Sequence, residues 1–248
     1  MLLAVGVAVP VAGGAASAAS HKKTGGGSSG GGTISAGSLP PLSLSGVTAT
    51  FADDFQSLPL GTTWTDGSVH GNWTSVYNGY GQNGVATDNT NVLSETPKAS
   101  TSPSETHAGL IVSNASFGDI TETVWVRTVK QLRTGSTPNA WEVGWVLWHY
   151  TDDTHFYYLA LKPNGWELGK EDPAYPGAQR FLRTASSPTF TVGSWHKVTV
   201  QQVANVITVS ADGVALGSFT DLERPYISGR LGLYTEDAQV HFDDVTVN

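Results

Sequence analysis

Two pairs of adjacent carboxylates stand near opposite ends of one stretch of chain, Asp53-Asp54 in "FADDF" and Asp243-Asp244 in "VHFDDVTVN". Acids placed so densely either gather a hard cation or stay solvated and keep a strand edge from pairing. The second pair also marks a change of phase. Val240 and Phe242 share one face of an extended chain, while Val245 and Val247 share the other. A strand here needs a local bulge at Asp243-Asp244 to keep one apolar face.

A second set of chemistry-bearing residues lies in strand-like runs. Trp125 and Arg127 share a face of "TETVWVRT", opposite Val124 and Val126. Tyr158 and Lys162 share the less apolar face of "HFYYLALK". "WEVGWVLWHY" is apolar on both faces, with Trp141, Trp145 and His149 on one of them. Aromatic rings stack on the C–H faces of sugars, and Arg or Lys pairs with the carboxylate of an acidic one. Trp125, Arg127, Trp145 and Lys162 are therefore expected to line a glycan groove. His149 and Tyr158 are the candidate bases if a sugar proton is removed. Glu171, Tyr175 and Arg180, in the loop "GKEDPAYPGAQRF", are rim candidates. Each aromatic taken singly fits core or loop packing better than ligand contact, and only the combination favours a groove.

The elements that must position these residues are strands. "TETVWVRTV", "HFYYLALK", "WHKVTVQQV", "NVITVSA", "GRLGLYT" and "QVHFDDVTV" alternate or are rich in β-branched residues, and no stretch has a helical period. Asn164-Gly165 and Asp212-Gly213 are strong hairpin turns, and "VANV" is a tighter one. The pattern predicts an all-β antiparallel sandwich over residues 47–248. Residues 61–110 are polar but carry Trp64, Trp73, Tyr77 and Tyr80, which suits either a binding rim or segments pinned to the body by their rings.

Upstream, residues 1–20 are small and apolar, with Ala16-Ser17-Ala18 as a cleavage-type site, and read as a secretory signal segment. Residues 21–46 are Gly/Ser-rich and read as a flexible tether. There is no cysteine, so an exported domain relies on its core or a metal rather than on disulfides. The net charge of −8 comes without a basic block, which argues against nucleic acid or an anionic membrane as partner beyond the export step. Charged residues are only 14% of the chain while Trp, Tyr and Phe number eight each, a balance that suits a surface meeting neutral polymers. A secreted monomer that meets polysaccharide or oligosaccharide is the expectation.

The stretch "GSWHKVTVQQVANVITVSADGVALGSFTD", with "GRLGLYTEDAQVHFDDVTV" and the opening "DDF", resembles the concanavalin-like (laminin-G-like) jelly-roll superfamily over residues 51–248. That superfamily includes family 16 glycoside hydrolases, several polysaccharide lyases and the 3-keto-disaccharide hydrolase-like domains. The resemblance implies a two-sheet jelly roll whose concave face meets glycan. It also implies first and last strands that are neighbours, with a calcium ion beside them; Asp54 and Asp243 are then the ligands to expect. The E-x-D-x-x-E strand of family 16 is missing. Glu142 stands alone, and Glu167, Glu171 and Asp172 have the wrong spacing. A retaining glycosidase needs two carboxyls about 5 Å apart, so the alternatives left open are binding without cleavage, a lyase or hydrolase of another design, and a non-catalytic adhesion module. For a lyase acting on a uronate, Arg127 or Lys162 would neutralise the carboxylate and Tyr158 or His149 would take the proton.

Overall fold

A computed structural model describes residues 50–248. The signal segment and the tether inferred above lie outside the described residues.

The chain builds two antiparallel sheets. Sheet A runs in the order β15 (Val214–Thr220), β14 (Val206–Ala211), β13 (His196–Val203), β8 (Ile120–Gln131), β17 (Ala238–Val247), β6 (Thr90–Thr96), β5 (Gln82–Asp88) and β2 (Thr63–Trp64), with β1 (Phe51–Asp53) also pairing with β17. Sheet B runs β12 (Gln179–Ala185), β11 (Gly165–Glu171), β10 (His155–Lys162), β9 (Gly144–Asp152), β16 (Gly229–Glu236), β7 (Ala108–Phe117), β4 (Trp73–Tyr77) and β3 (Val69–His70). The fold is a concanavalin-like jelly-roll sandwich. Among the described residues the one helical element is a short 3-10 turn at Pro176–Ala178.

The expected turns are present. Lys162 pairs with Gly165 across the first hairpin, and Gly165 sits at a φ of 136° with its Cα against the Ala185 carbonyl, where a side chain has no room. Asp212 and Gly213 both take positive φ between Ala211 and Val214, the geometry of a type I′ turn.

The phase change in the last strand is resolved as the sequence demands. Asp244 has a φ of 47°, and the pairing with β8 shifts between Asp243 and Thr246. Phe242 and Val245 are thereby both buried in the inter-sheet core. The first strand is a neighbour of the last, with Asp53 opposite Val245. Residues 61–110 form β2 to β6 and the links around them, and Trp64 and Trp73 are fully buried there. Their rings pin the segment to the body, as the packing alternative expected.

Two core positions break the apolar pattern. Glu95 on β6 and Glu122 on β8 are fully buried, and no oxygen of either carboxyl has a hydrogen-bond partner. Burial raises both carboxyls well above the usual 4.5. The folded protein therefore keeps protons that the unfolded chain releases above about 4.5. Their contribution is complete below that pH and is lost as pH rises towards the raised folded values. The acids whose values are lowered, Asp88, Glu105, Asp152, Asp172 and Asp221, act in the opposite sense but below about 4.5. The thermal midpoint should thus fall as pH rises above about 5. A Glu95→Gln/Glu122→Gln double variant should show a flatter slope and a higher midpoint at the alkaline end, measured by circular dichroism. An unchanged slope would count against this account.

Candidate functional site

Sheet B carries a second apolar cluster, on the face turned away from sheet A. Side chains alternate along β9 and β10, so Val146, Trp148, Tyr157 and Leu159 enter the inter-sheet core. Trp145, Leu147, Tyr158 and Ala160 build the outer face with Leu110, Val112, Tyr150 and Phe156. Tyr77, Trp141 and Tyr234 pack against it. Trp145 is at its centre, stacked on Tyr158 with centroids 4.5 Å apart and met edge-on by Tyr234 at 5.3 Å. Its indole N–H donates to the Trp141 carbonyl at 2.9 Å, which fixes the ring.

Polar groups border this aromatic floor. Tyr158 Oη donates to Glu167 Oε1 at 2.8 Å and accepts from Gln179 Nε2 at 2.8 Å; Lys162 Nζ donates to Glu167 Oε2 at 2.6 Å. Tyr234 Oη donates to Glu236 Oε1 at 2.7 Å. Glu171, at the end of β11, has no hydrogen-bond or ion-pair partner for its carboxyl among the described residues. Loss of water, followed by the charge of Glu236, raises Glu171 to about 8. Loss of water raises Glu236 to about 7, with Asp237 and Glu142 adding to it and the Tyr234 hydrogen bond and Arg133 opposing. Two half-buried carboxyls on one face thus sit near neutrality.

The structure divides the residues singled out in the sequence. Trp145, Tyr158, Lys162 and Glu171 come together on the outer face of sheet B. Trp125 and Arg127 do not join them: they lie on the outer face of sheet A, across the sandwich, because β8 belongs to that sheet. There Arg127 Nη1 is closed by Asp88 at 2.7 and 3.0 Å and its Nε by the Gly193 carbonyl at 2.8 Å.

Neither candidate base is suited to the task. His149 is buried with a φ of 51°, at an irregularity of β9 that breaks the strand's alternation. Its two ring nitrogens face the carbonyls of Tyr226 at 2.9 Å and Gly118 at 2.8 Å, so both are engaged in locking a strand end. Tyr158 is fully buried beneath Trp145, and burial beside Glu167 raises its phenol well above the usual 10. It serves as floor. Tyr175 and Arg180 are not at the floor either. They bind Glu223, with Arg180 also 3.4 Å from Asp221, and so tie the β11–β12 link to residues 221–223.

Sequence reasoning missed Tyr234 and Glu236. Their signal was present in "GRLGLYTED", where the two are two residues apart and so share a strand face. It was read only as a strand.

The acidic pairs are near one another. A polar pocket is lined by Ala52, Asp53, Asp54, Ser57, Asn72, Asp244, Val245 and Thr246. Asp53 uses both oxygens, accepting from the Phe55 amide at 2.9 Å and from Trp73 Nε1 and Asn72 Nδ2 at 3.0 Å each. Burial raises Asp243, and the charges of Asp244 and Asp54 add to it. Among the described residues no three His, Cys, Asp or Glu side chains gather as a metal group. A cation held by Asp54 and Asp243 would have to complete its shell with carbonyls and water.

A family model described as 3-keto-alpha-glucoside-1,2-lyase-like domain matches residues 61–248. No curated protein matches the sequence. Among solved structures, the chain is similar to the carbohydrate-binding module CBM66 of Bacillus subtilis, with 16% identity over 71% of this chain and 95% of that one and a TM-score of 0.52. It is also similar to two family 16 glycoside hydrolases of Bacteroides ovatus. One is from a mixed-linkage glucan locus and the other is an endo-glucanase, each 13% identical over 80% of this chain and 99% of theirs, with TM-scores of 0.52 and 0.51. Identities this low speak for the fold.

The floor depends on a missing side chain. A Cβ on Gly169 would lie 2.3 Å from Tyr158 Oη and Cζ. Gly169→Ala should therefore cost about 1–3 kcal/mol in urea unfolding through overpacking. In a Tyr158→Ala background the same change should cost much less. Equal costs in the two backgrounds would show that Gly169 does not make room for the ring.

Proposed function

Since the chain belongs to the 3-keto-alpha-glucoside-1,2-lyase-like domain family, we propose that this carbohydrate-active jelly roll takes its glycan on the outer face of sheet B, along the Trp145–Tyr158–Tyr234 floor. The observation that carries the reading is this floor itself: three rings held edge and face to one another, bordered by groups able to read hydroxyls. The charge there favours a neutral sugar. Glu167, Glu171 and Glu236 border the floor, and Lys162 is already paired with Glu167. A uronate finds no free pair of cations on this face, and Arg127 is on the other sheet. As part of the same reading the domain acts outside the cell, in keeping with residues 1–20 and the absence of cysteine.

Tyr234→Ala should weaken binding of neutral oligosaccharides by roughly three- to tenfold, the worth of one aromatic contact. Trp125→Ala should leave it unchanged. Binding measured by calorimetry should also vary little with salt, because no ion pair with ligand is involved. Loss of affinity in Trp125→Ala with none in Tyr234→Ala would move the site to sheet A.

A second reading, cleavage, is favoured by the two carboxyls raised to about 8 and about 7 beside the floor. The matched family is described as 3-keto-alpha-glucoside-1,2-lyase-like, so elimination from a 3-keto-α-glucoside is the cleavage to test first.

We also propose a calcium ion held by Asp54 and Asp243, tying the first and last strands together. The thermal midpoint should then rise with saturating calcium and return with chelator, and Asp243→Asn should abolish the difference. A midpoint indifferent to calcium would leave the acids as solvated edge residues.

A further inference from the structure

We propose that Phe181 is a second sugar-stacking ring, at the β12 edge of the outer face of sheet B, and that the domain therefore takes a chain of at least two neutral sugar rings laid across the strands. The inference rests on the glycan-binding reading above and deepens it.

The strand register puts Phe181 on the same face as the floor. Phe181 is opposite Gly169, Gly169 is opposite Tyr158, and Tyr158 is opposite Leu147. Residues directly opposite in an antiparallel pair point to the same side, and Tyr158 and Leu147 belong to the outer cluster. The neighbours on β12 agree. Gln179, two residues before Phe181, reaches Tyr158 Oη on this face at 2.8 Å. Leu182, the next residue, packs instead against the inter-sheet core. In that row β11 contributes Gly169, whose missing side chain leaves its place to the Tyr158 ring, so β11 raises no side chain of its own there.

Exposure separates Phe181 from the rings already described. It is 58% exposed, against 5% for Trp145 and 0% for Tyr158. Tyr234, Trp141 and Tyr77 are half-buried. Phe181 is thus the ring on this face with the most surface left to stack on. Single exposed apolar residues are normal, so exposure alone does not mark a site.

The groups beside the ring name the occupant. Glu171 is opposite Gln179 and two residues from Gly169, which makes it a diagonal neighbour of Phe181, within reach of a long side chain. Its carboxyl has no partner among the described residues. Loss of water, followed by the Glu236 charge, raises it to about 8, so near neutral pH it both donates to and accepts from hydroxyls. A neutral sugar supplies an apolar C–H face to the ring and hydroxyls to the carboxyl. An apolar peptide side chain would cover Glu171 without a hydrogen bond, at a cost.

Distance sets the length of the ligand. β16, which carries Tyr234, and β12, which carries Phe181, are four strands apart, roughly 19 Å at about 4.8 Å per strand. One pyranose ring cannot touch both. A chain running across the strands can.

The test is titration calorimetry with α- and β-linked oligosaccharides of glucose and of galactose, from one unit to six. The proteins are the full chain and its Phe181→Ala, Phe181→Tyr and Tyr234→Ala variants. Phe181→Ala should keep the wild-type thermal midpoint, because the ring is on the surface. It should weaken binding of the longer chains roughly three- to tenfold, the worth of one aromatic contact, and leave the monosaccharide unchanged. Phe181→Tyr should bind the longer chains as wild type does. Tyr234→Ala should weaken every length.

Wild-type affinity at every length in Phe181→Ala, with Tyr234→Ala weakened, would overturn the second ring and leave the sheet B site standing. A monosaccharide weakened by Phe181→Ala as much as the hexasaccharide would also overturn it, because Phe181 would then belong to the first contact. A wild-type dimer that Phe181→Ala splits in sedimentation, with affinity unchanged, would overturn it and make the ring a contact between copies. Affinity that neither alanine variant lowers, or no binding by wild type in any series, would overturn the sheet B site and the second ring together.

Discussion

Strands β9 and β10 are buried on both faces, and most of what is distinctive in this molecule follows from that. A strand covered on one side only can present polar residues to water on the other. Here Val146, Trp148, Tyr157 and Leu159 meet sheet A, while Trp145, Leu147, Tyr158 and Ala160 need a cover of their own. Trp141, Tyr77 and Tyr234 provide it. Because that cover consists of rings rather than a third layer of strands, the face is dry without being closed. Carboxyls at its border lose much of their water while staying half-exposed, and this is what raises Glu171 and Glu236.

Sheet A solves the opposite problem. β8 and β13 alternate cleanly, with Val124, Val126, Val198 and Val200 inward. Its outer face is therefore free to carry ion pairs, and Asp88 gathers both Arg127 and His241 there, at 2.7 and 3.0 Å. The loss of water and the Arg127 and His241 contacts act on Asp88 in opposite directions, with the contacts prevailing and its carboxyl held below the usual 3.8. Two acids of one protein, Asp88 and Glu171, are thus driven to opposite protonation by which sheet they border.

The fold was legible because its evidence is local. Alternation, the Asn164-Gly165 and Asp212-Gly213 turns, and the change of phase at Asp243-Asp244 are each visible in a few residues, and the bulge at Asp244 follows from counting faces. The site was only half legible because faces on one strand say nothing about which sheet the strand joins. "TETVWVRT" gave the right split of Trp125 and Arg127 from Val124 and Val126, yet β8 pairs with β13 and β17 in sheet A, so its outer face points away from the outer face of β9 in sheet B. His149 failed for another reason: its positive φ breaks the alternation on which its placement relied. Glu171 was legible as a rim residue, whereas Glu236, on β16 three strands away in the order β11-β10-β9-β16, was not.

That order has a consequence for how such a site is built. Two acids on one strand are fixed in separation by the strand's rise, and the chemistry of that separation is fixed with them. Acids contributed by strands two or three places apart are set instead by what lies between them. In this sheet the intervening strands carry Tyr158 and Trp145, and the registers set Glu171 level with Phe156 while Glu236 lies past the Tyr234–Trp145–Ala160 row, so the two carboxyls border opposite ends of the aromatic floor. Lys162 shows how the floor is kept neutral. Its ammonium is spent on Glu167, which also receives the Tyr158 hydroxyl. No cation acts on Glu171 to offset the loss of water and the Glu236 charge that raise its carboxyl to about 8.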